Sequence, residues 1–405
     1  MKSKKTILVL TTYPLKNPQH GGQKRTDAIV NAYRSSNFIV KNCAVFYKGF
    51  YSSYGEDDVP LSASSEQLIR QSPLTGDIVC GEAIIKDPKV KRKITELLTN
   101  FRPDIIHIEQ PFPYLGLKPL LAELQLSPKL IFGSQNIEAP MKRDILEGAH
   151  VAKEQIAEAV KIIDDIEAEL TNDSELVAAC TVEDLKAHAK LKARKLVLAP
   201  NGIAKVETNE QSTQHWQKIF ADLGVTKTAL FIGSAHPPNW TGFLDMVGKG
   251  LGFVPPDARL VLAGSICDYF EREISSDSLT IEDATFWLRA YSAGRLSEPR
   301  LGALIKQSDV IILPITEGGG SNLKTAEAIL ANKKVVATTH ALRSFEWFKD
   351  FPNVWIADTK QKFIESIATA LKTPLVERTQ EQAKQTEKVL WKNCLADLIT
   401  EVKSL

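Results

Sequence analysis

The chain has 405 residues, enough for two or three domains with cores that need no covalent staples. Fifty basic and 49 acidic residues leave a net charge of +1, which argues against a general nucleic-acid or polybasic membrane footprint. Apolar content of 43% and charged content of 24% are ordinary for a globular protein. Cys43, Cys80, Cys180, Cys267 and Cys394 are far apart and form no CxxC pair. They are expected to be buried thiols in a reducing compartment, not a disulfide framework or a zinc site.

The first apolar run, Thr6 to Thr12, is too short to cross a membrane and precedes no small-residue cleavage site. It is expected to open a sheet in a cytoplasmic protein. Further strands are expected at Ile39–Phe46, Asp104–Glu109, Lys129–Gly133, Leu176–Thr181 and Lys195–Leu198. Helical patterns lie between them at Lys24–Ser35, Val90–Asn100 and, as one long segment, Met141–Asn172. Gly49 to Gly76 reads as an irregular excursion. Strand and helix alternating in this way predict a doubly wound parallel sheet. Pro200-Asn201-Gly202 makes a turn, and the polar stretch Glu207 to Gln214 follows, which marks the best domain boundary. The second half restarts at Ala229–Ser234 and continues with Arg259–Ala263, Asp309–Leu313, Val335–Thr338 and Val354–Ile356. Val376 to Leu405 reads as one long amphipathic helix. The domains are expected at 1–204, 205–380 and 381–405.

The most informative segment begins where Asp309–Leu313 ends. Glu317-Gly318-Gly319-Gly320-Ser321-Asn322-Leu323-Lys324 leads into a helix that carries Glu327 and ends near Ala331. A strand, a glycine loop and a helix start in this order make either an anion site, from loop N–H groups, the helix N-terminus and the Lys324 charge, or a tight turn whose glycines only satisfy geometry. Glu327 is placed to accept hydrogen bonds from a ribose.

This segment resembles the donor-binding segment of family 4 glycosyltransferases, the group 1 type, which have the GT-B fold. The resemblance implies an α/β protein of two Rossmann-like domains with a cleft between them and a C-terminal helix crossing back to the first. It implies that Gly318, Gly319, Gly320, Ser321, Asn322, Leu323 and Lys324 hold the donor diphosphate, and that Glu327 binds the ribose. Most members carry a second glutamate where this chain has Gly319, and Glu317 lies two residues earlier.

Other matches extend the resemblance from residue 6 to about residue 345. Tyr13-Pro14 and Gly21-Gly22-Gln23-Lys24-Arg25 follow the first strand. Gly21 and Gly22 are expected to bring backbone near the diphosphate, while Lys24 and Arg25 either add charge or line a solvated helix face. His107, Glu109 and Gln110 close a strand at the carboxyl edge, where open sheets place ligands. His107 is either a ligand contact or a core histidine. Gly133-Ser134-Gln135-Asn136-Ile137-Glu138 has Gln135 where similar members have a histidine near the reacting sugar. A glutamine can only orient or hydrogen-bond. Gly233-Ser234-Ala235-His236-Pro237-Pro238-Asn239 matches a family variant that lacks the usual basic residues, and His236 is a partial substitute. Gly294-Arg295-Leu296-Ser297 resembles the loop that reads the nucleotide base, with Arg295 either a ligand contact or an exposed loop residue.

The expected activity is retaining, metal-independent transfer of a sugar from a nucleotide-diphosphate sugar to a glycan, lipid-linked or small-molecule acceptor. No cofactor, metal or nucleic-acid partner is expected, and membrane contact is at most peripheral, at the inner face. Lys324, Glu317 and Gln135 are the catalytic candidates. Gly21, Gly22, Gly233, Ser234, Arg295 and Leu296 join the glycine loop as donor contacts, and Arg25, His107, Glu109, Gln110 and Asn136 are acceptor contacts. A non-catalytic nucleotide-sugar-binding subunit and a sugar-nucleotide epimerase are the alternatives.

Overall fold

A computed structural model describes residues 4–205, 207–274, 280–317 and 322–405. The chain forms two compact units, Met1–Asn201 with Cys394–Leu405, and Gly202–Asn393.

The first unit is a parallel sheet of β1 (Thr6–Thr11), β2 (Ile39–Phe46), β3 (Val59–Pro60), β4 (Ile105–Glu109), β5 (Lys129–Ser134), β6 (Leu176–Ala179) and β7 (Leu196–Leu198). Its order is β3-β2-β1-β4-β5-β6-β7. The chain winds outward from β1 on one side, then returns to build the other, so β1 and β4 flank the switch point. Ile7 to Leu10 and Ile105 to Glu109 are buried on both faces, which is why these strands read as unbroken apolar runs.

The second unit repeats the plan with β8 (Lys227–Ile232), β9 (Ala258–Ala263), β10 (Ala290–Ser292), β11 (Val310–Leu313), β12 (Lys334–Ala337) and β13 (Val354–Ile356). The order is β10-β9-β8-β11-β12-β13, with the switch between β8 and β11. One face packs a run of aromatic rings. Phe270 meets Trp240 and Phe243 edge-on, both at 4.8 Å, and stacks on Phe286 at 5.7 Å.

Several expectations give way here. The excursion from Gly49 to Gly76 contains a helix, Ala63–Gln71, and the two-residue edge strand β3. Met141–Asn172 is two helices, Glu138–Gly148 and Lys153–Asp173, broken where His150 takes φ 55°. The C-terminal pattern is also broken, into Gln380–Thr386, Glu387–Val389, Trp391–Cys394 and Ala396–Ser404. The cause of that break is local. Ile203 pairs with the chain there, donating to Val389 O at 2.8 Å and accepting from Trp391 N at 3.1 Å, which pulls Leu390 into an extended conformation. All five cysteines are buried and free, as their spacing suggested. Among the described residues no helix is long and apolar enough to cross a membrane.

Phe270 is fully buried at the centre of the ring cluster. Phe270→Ala is expected to cost about 3–5 kcal/mol of stability, read as a lowered denaturant midpoint for the second unit.

Candidate active site

In the first unit the polar groups gather at the carboxyl ends of β1, β4 and β5, beside the switch point. Glu109 is the centre. It ends β4 with no solvent exposure and is surrounded by donors. His107 Nε2 lies 3.0 Å from Oε1, Gln135 Nε2 donates to Oε2 at 2.7 Å, and Arg25 Nε lies 3.4 Å from Oε2. Burial alone would raise the Glu109 carboxyl, but Arg25, His107 and Gln135 outweigh it and hold the group below the usual carboxylate range. An ionised carboxylate only accepts, so His107 carries its proton on Nε2. Its Nδ1 lies 2.7 Å from the Tyr33 hydroxyl.

Arg25, His107 and Glu109 were expected to meet an acceptor, and the structure instead seals all three inside the unit, at 1%, 0% and 0% exposure. Arg25 Nη1 donates to Ala199 O at 2.6 Å and to Asn201 Oδ1 at 3.2 Å. In the helix Gly21–Ser35, Arg25 shares one face with the buried Ile29 and Tyr33, at four-residue spacing. That spacing was the available signal that Arg25 points inward. Lys24 is the exposed member of the pair. Gly21 and Gly22 form the first turn of this helix, whose cap His20 accepts from Gln23 N while Gln23 Oε1 accepts from His20 N.

A second polar group sits beside the first. Gln110 takes φ 67°, unusual for a side chain other than glycine, and donates to Glu138 Oε1 at 3.5 Å. Glu138 is 1% exposed, and among the described residues its Oε2 has no hydrogen-bond partner. Burial first, then the Asp77 charge, pushes the Glu138 carboxyl up to about 7, with Lys142 opposing. Glu167 caps the helix that Glu138 opens, accepting from Glu138 N at 3.0 Å, and burial raises it to about 8. Asn136 is half-buried in the same turn, and its carbonyl accepts from Ser134 Oγ at 3.0 Å. Glu138, Glu167, Tyr13 and Tyr33 were not singled out from sequence.

In the second unit the corresponding place is the end of β8 and β11. Lys324, in the first turn of the helix Leu323–Leu330, donates from Nζ to Asn239 Oδ1 at 2.6 Å. Asn239 in turn donates to Ser234 O at 2.9 Å and Ser234 Oγ at 3.0 Å, so Lys324, Asn239 and Ser234 form one cluster. Burial pushes the Lys324 ammonium down to about 8, and Glu327 opposes the shift. Partial burial of its ring and the Lys324 charge push the His236 imidazole below its ordinary value, which disfavours the charged form it would need to stand in for a cation. Asn322 caps the Lys324 helix by accepting from Lys324 N at 3.2 Å. Leu323 is half-buried and packs on the core of this unit. Gly233 is buried behind Ile266, and Ser234 and Glu317 are exposed. Arg295 is exposed and paired with Asp268 at 2.6 Å, with Leu296 packed beneath it. Gly318, Gly319, Gly320 and Ser321 lie outside the described residues. Among the described residues no group of three or more His, Cys, Asp or Glu side chains is placed to hold a metal ion.

No protein-family model matches the sequence, and no curated protein does. Solved structures do. Sucrose-phosphate synthase from Thermosynechococcus elongatus has a TM-score of 0.68 at 12% identity, covering 99% of both chains. Anabaena HepE in complex with UDP has a TM-score of 0.63 at 13% identity, covering 99% of this chain and 100% of that one. A glycosyltransferase from Rickettsia africae has a TM-score of 0.63 at 16% identity, covering 99% and 98%. The chain therefore has the GT-B fold, two parallel-sheet Rossmann-like units, and the structures it resembles are GT-B glycosyltransferases.

Two predictions follow from the first unit. A Cβ at Gly133 would lie 2.2 Å from Glu109 Oε1 and 2.5 Å from His107 Nε2. Gly133→Ala should therefore displace a buried ion pair and cost about 3–5 kcal/mol in urea unfolding. Glu138 has a raised folded-state pKa, so its protonated form contributes stability that is complete below the unfolded value of 4.5 and lost as pH rises through about 7. Glu138→Gln should thus melt above wild type at pH 8 and converge with it at pH 4.5, in paired thermal scans.

Proposed function

We propose that the protein is a glycosyltransferase that moves a sugar from a nucleotide-diphosphate sugar to a glycan, lipid-linked or small-molecule acceptor, with retention and without a metal. The observation that carries this reading is the Lys324–Asn239–Ser234 cluster at the switch point of the second sheet, in a GT-B fold. Open α/β sheets bind ligands at that point. A half-desolvated ammonium held by a neutral amide suits a diphosphate. Among the structures of this fold, Anabaena HepE was solved with UDP-glucose, and starch synthase IV of Arabidopsis thaliana with ADP and acarbose. Both ligand sets fit the same reading.

In this reaction the difficult step is departure of a nucleoside diphosphate with growing negative charge. Lys324 and the N-terminus of its helix stabilise that charge as pre-placed donors. Glu327 holds the ribose, and Glu317 faces the sugar in place of the residue that Gly319 lacks. Arg295 and Leu296 line the base, and Gln110 and Asn136 serve the acceptor. The reaction takes place in the cytoplasm, with at most peripheral contact at the inner face of the membrane.

Titration calorimetry with uridine, adenosine and guanosine diphosphates and their sugar conjugates tests this. A charged hydrogen-bonding partner contributes about 1.5–3 kcal/mol, roughly 10- to 150-fold in affinity. Lys324→Ala and Glu327→Ala should each weaken the preferred nucleotide on that scale and leave the fold intact. Wild-type affinity in both variants would remove the assignment. The charged form of Lys324 favours an anion, so affinity should fall as pH rises from about 8 towards 10.5, and Lys324→Met should abolish that slope. Turnover should persist in EDTA.

A further inference from the structure

The helix that presents Lys324 carries its charges against the usual order. A helix has partial positive charge at its N-terminus and partial negative charge at its C-terminus, so cations are favoured in the last turn. Leu323–Leu330 has no basic residue there, and its one lysine, Lys324, stands in the first turn. The cation at its C-terminus comes from 49 residues further along the chain. Arg378 Nη1 donates at 2.6 Å to Ile329 O, one of the last four carbonyls, which have no partner inside a helix. The guanidinium lies over two rings, Phe348 at 5.4 Å and Phe351 at 5.7 Å. Its Nε and Nη2 are buried with no hydrogen-bond partner among the described residues. Burial pushes the group down to about 10 and no carboxylate offsets the shift, yet it stays charged at neutral pH.

The stretch that carries these rings also meets the other end of the helix. Thr325 Oγ1, in the first turn, donates to Ala341 O at 2.5 Å. The helix is thus seated near both ends, and only the far end is given a cation. A charge that no carboxylate neutralises, set against the helix C-terminus, cancels the negative end and leaves the positive end unopposed. Eight residues span about 12 Å. The path between the two ends runs through protein, where charges are screened less than across salt water. Resting on the transferase reading above, we propose that Arg378 is a positioning residue for the diphosphate: from the far end it seats the Lys324 helix and strengthens the positive field at its N-terminus.

Three variants of the whole chain separate charge from packing. Arg378→Lys keeps the charge, Arg378→Gln keeps a donor for Ile329 O without the charge, and Arg378→Met keeps only an apolar stem over the rings. Each is titrated with uridine, adenosine and guanosine diphosphates across the pH range in which Lys324 loses its proton, with urea unfolding alongside. At pH 7, Arg378→Gln and Arg378→Met should weaken the preferred diphosphate about two- to fivefold, the worth of one charge at a helix terminus. Arg378→Lys should bind close to wild type. Loss of a like charge also favours the Lys324 ammonium, so the pH at which affinity falls should move up in Arg378→Gln and Arg378→Met and stay in place in Arg378→Lys. A purely structural role would lower the urea midpoints and leave that pH unmoved. Wild-type affinity and pH profile in Arg378→Gln therefore overturn this inference and leave the transferase reading standing. A loss in Arg378→Lys equal to that in Arg378→Gln overturns it too. Where Arg378→Met does not fold, the other two variants decide the matter. A wild type that binds no diphosphate overturns both readings.

Discussion

A carboxylate removed from water must be met by donors, and in the first unit that requirement organises everything near the switch point. Taking an ion from water costs several kcal/mol even after relaxation, and only close, well-directed partners offset it. Glu109 obtains them from three places in the chain. Arg25 comes from the helix after β1, His107 from its own strand, and Gln135 from the turn after β5. Tyr33 meets the far nitrogen of His107. The same constraint dictates the residue at 133, since any side chain there would occupy the carboxylate's place. Gln135 is oriented by the same demand, its amide nitrogen donating to the carboxylate and to the Tyr13 hydroxyl.

The second unit handles charge in the opposite way. Glu109 is closed off by cations and donors, whereas the close hydrogen-bond partner of Lys324 is the neutral amide of Asn239. The depressed ammonium records a cation that is partly desolvated and incompletely compensated. An incoming anion relieves that cost, and the protein need not reorganise to meet it. One switch point thus carries a carboxylate enclosed by a cation and donors, and the other a partly desolvated cation held by a neutral amide.

How much of this could be read from sequence follows from where the physics is local. Buried parallel strands are continuous apolar runs, so β1, β2, β4, β11 and their neighbours were legible to within a residue or two. β3 and β10 were not, because edge strands of two and three residues leave no pattern to detect. The helix Ala63–Gln71 buries only Ile69, which is too little periodicity to stand out among serines. The break at Leu390 depends on Ile203, nearly two hundred residues away. In the site, the glycine–lysine segment was visible because strand, loop and helix follow one another in sequence. The Glu109 network was not, because its members come from Tyr13, Arg25, Tyr33, His107 and Gln135, and only folding brings them together. Arg25 was misplaced for a general reason: arginine is read as solvent-facing unless its helical neighbours are weighed, and here Ile29 and Tyr33 decided the matter.

The glutamine at 135 also bears on what this site can contribute to chemistry. A histidine there could take or release a proton near neutral pH, and an amide cannot. Glu109 is committed as an ionised acceptor and the Tyr13 phenol is held protonated, which leaves Glu138, raised to about 7, as the nearby carboxyl that titrates near neutral pH. Gln135 itself can therefore hydrogen-bond but cannot take a proton. On the transferase reading, the barrier must then be lowered where charge develops on the leaving diphosphate. That places the burden on Lys324 and its helix, in keeping with the retaining reaction proposed above, whose departing phosphate can itself receive the acceptor's proton.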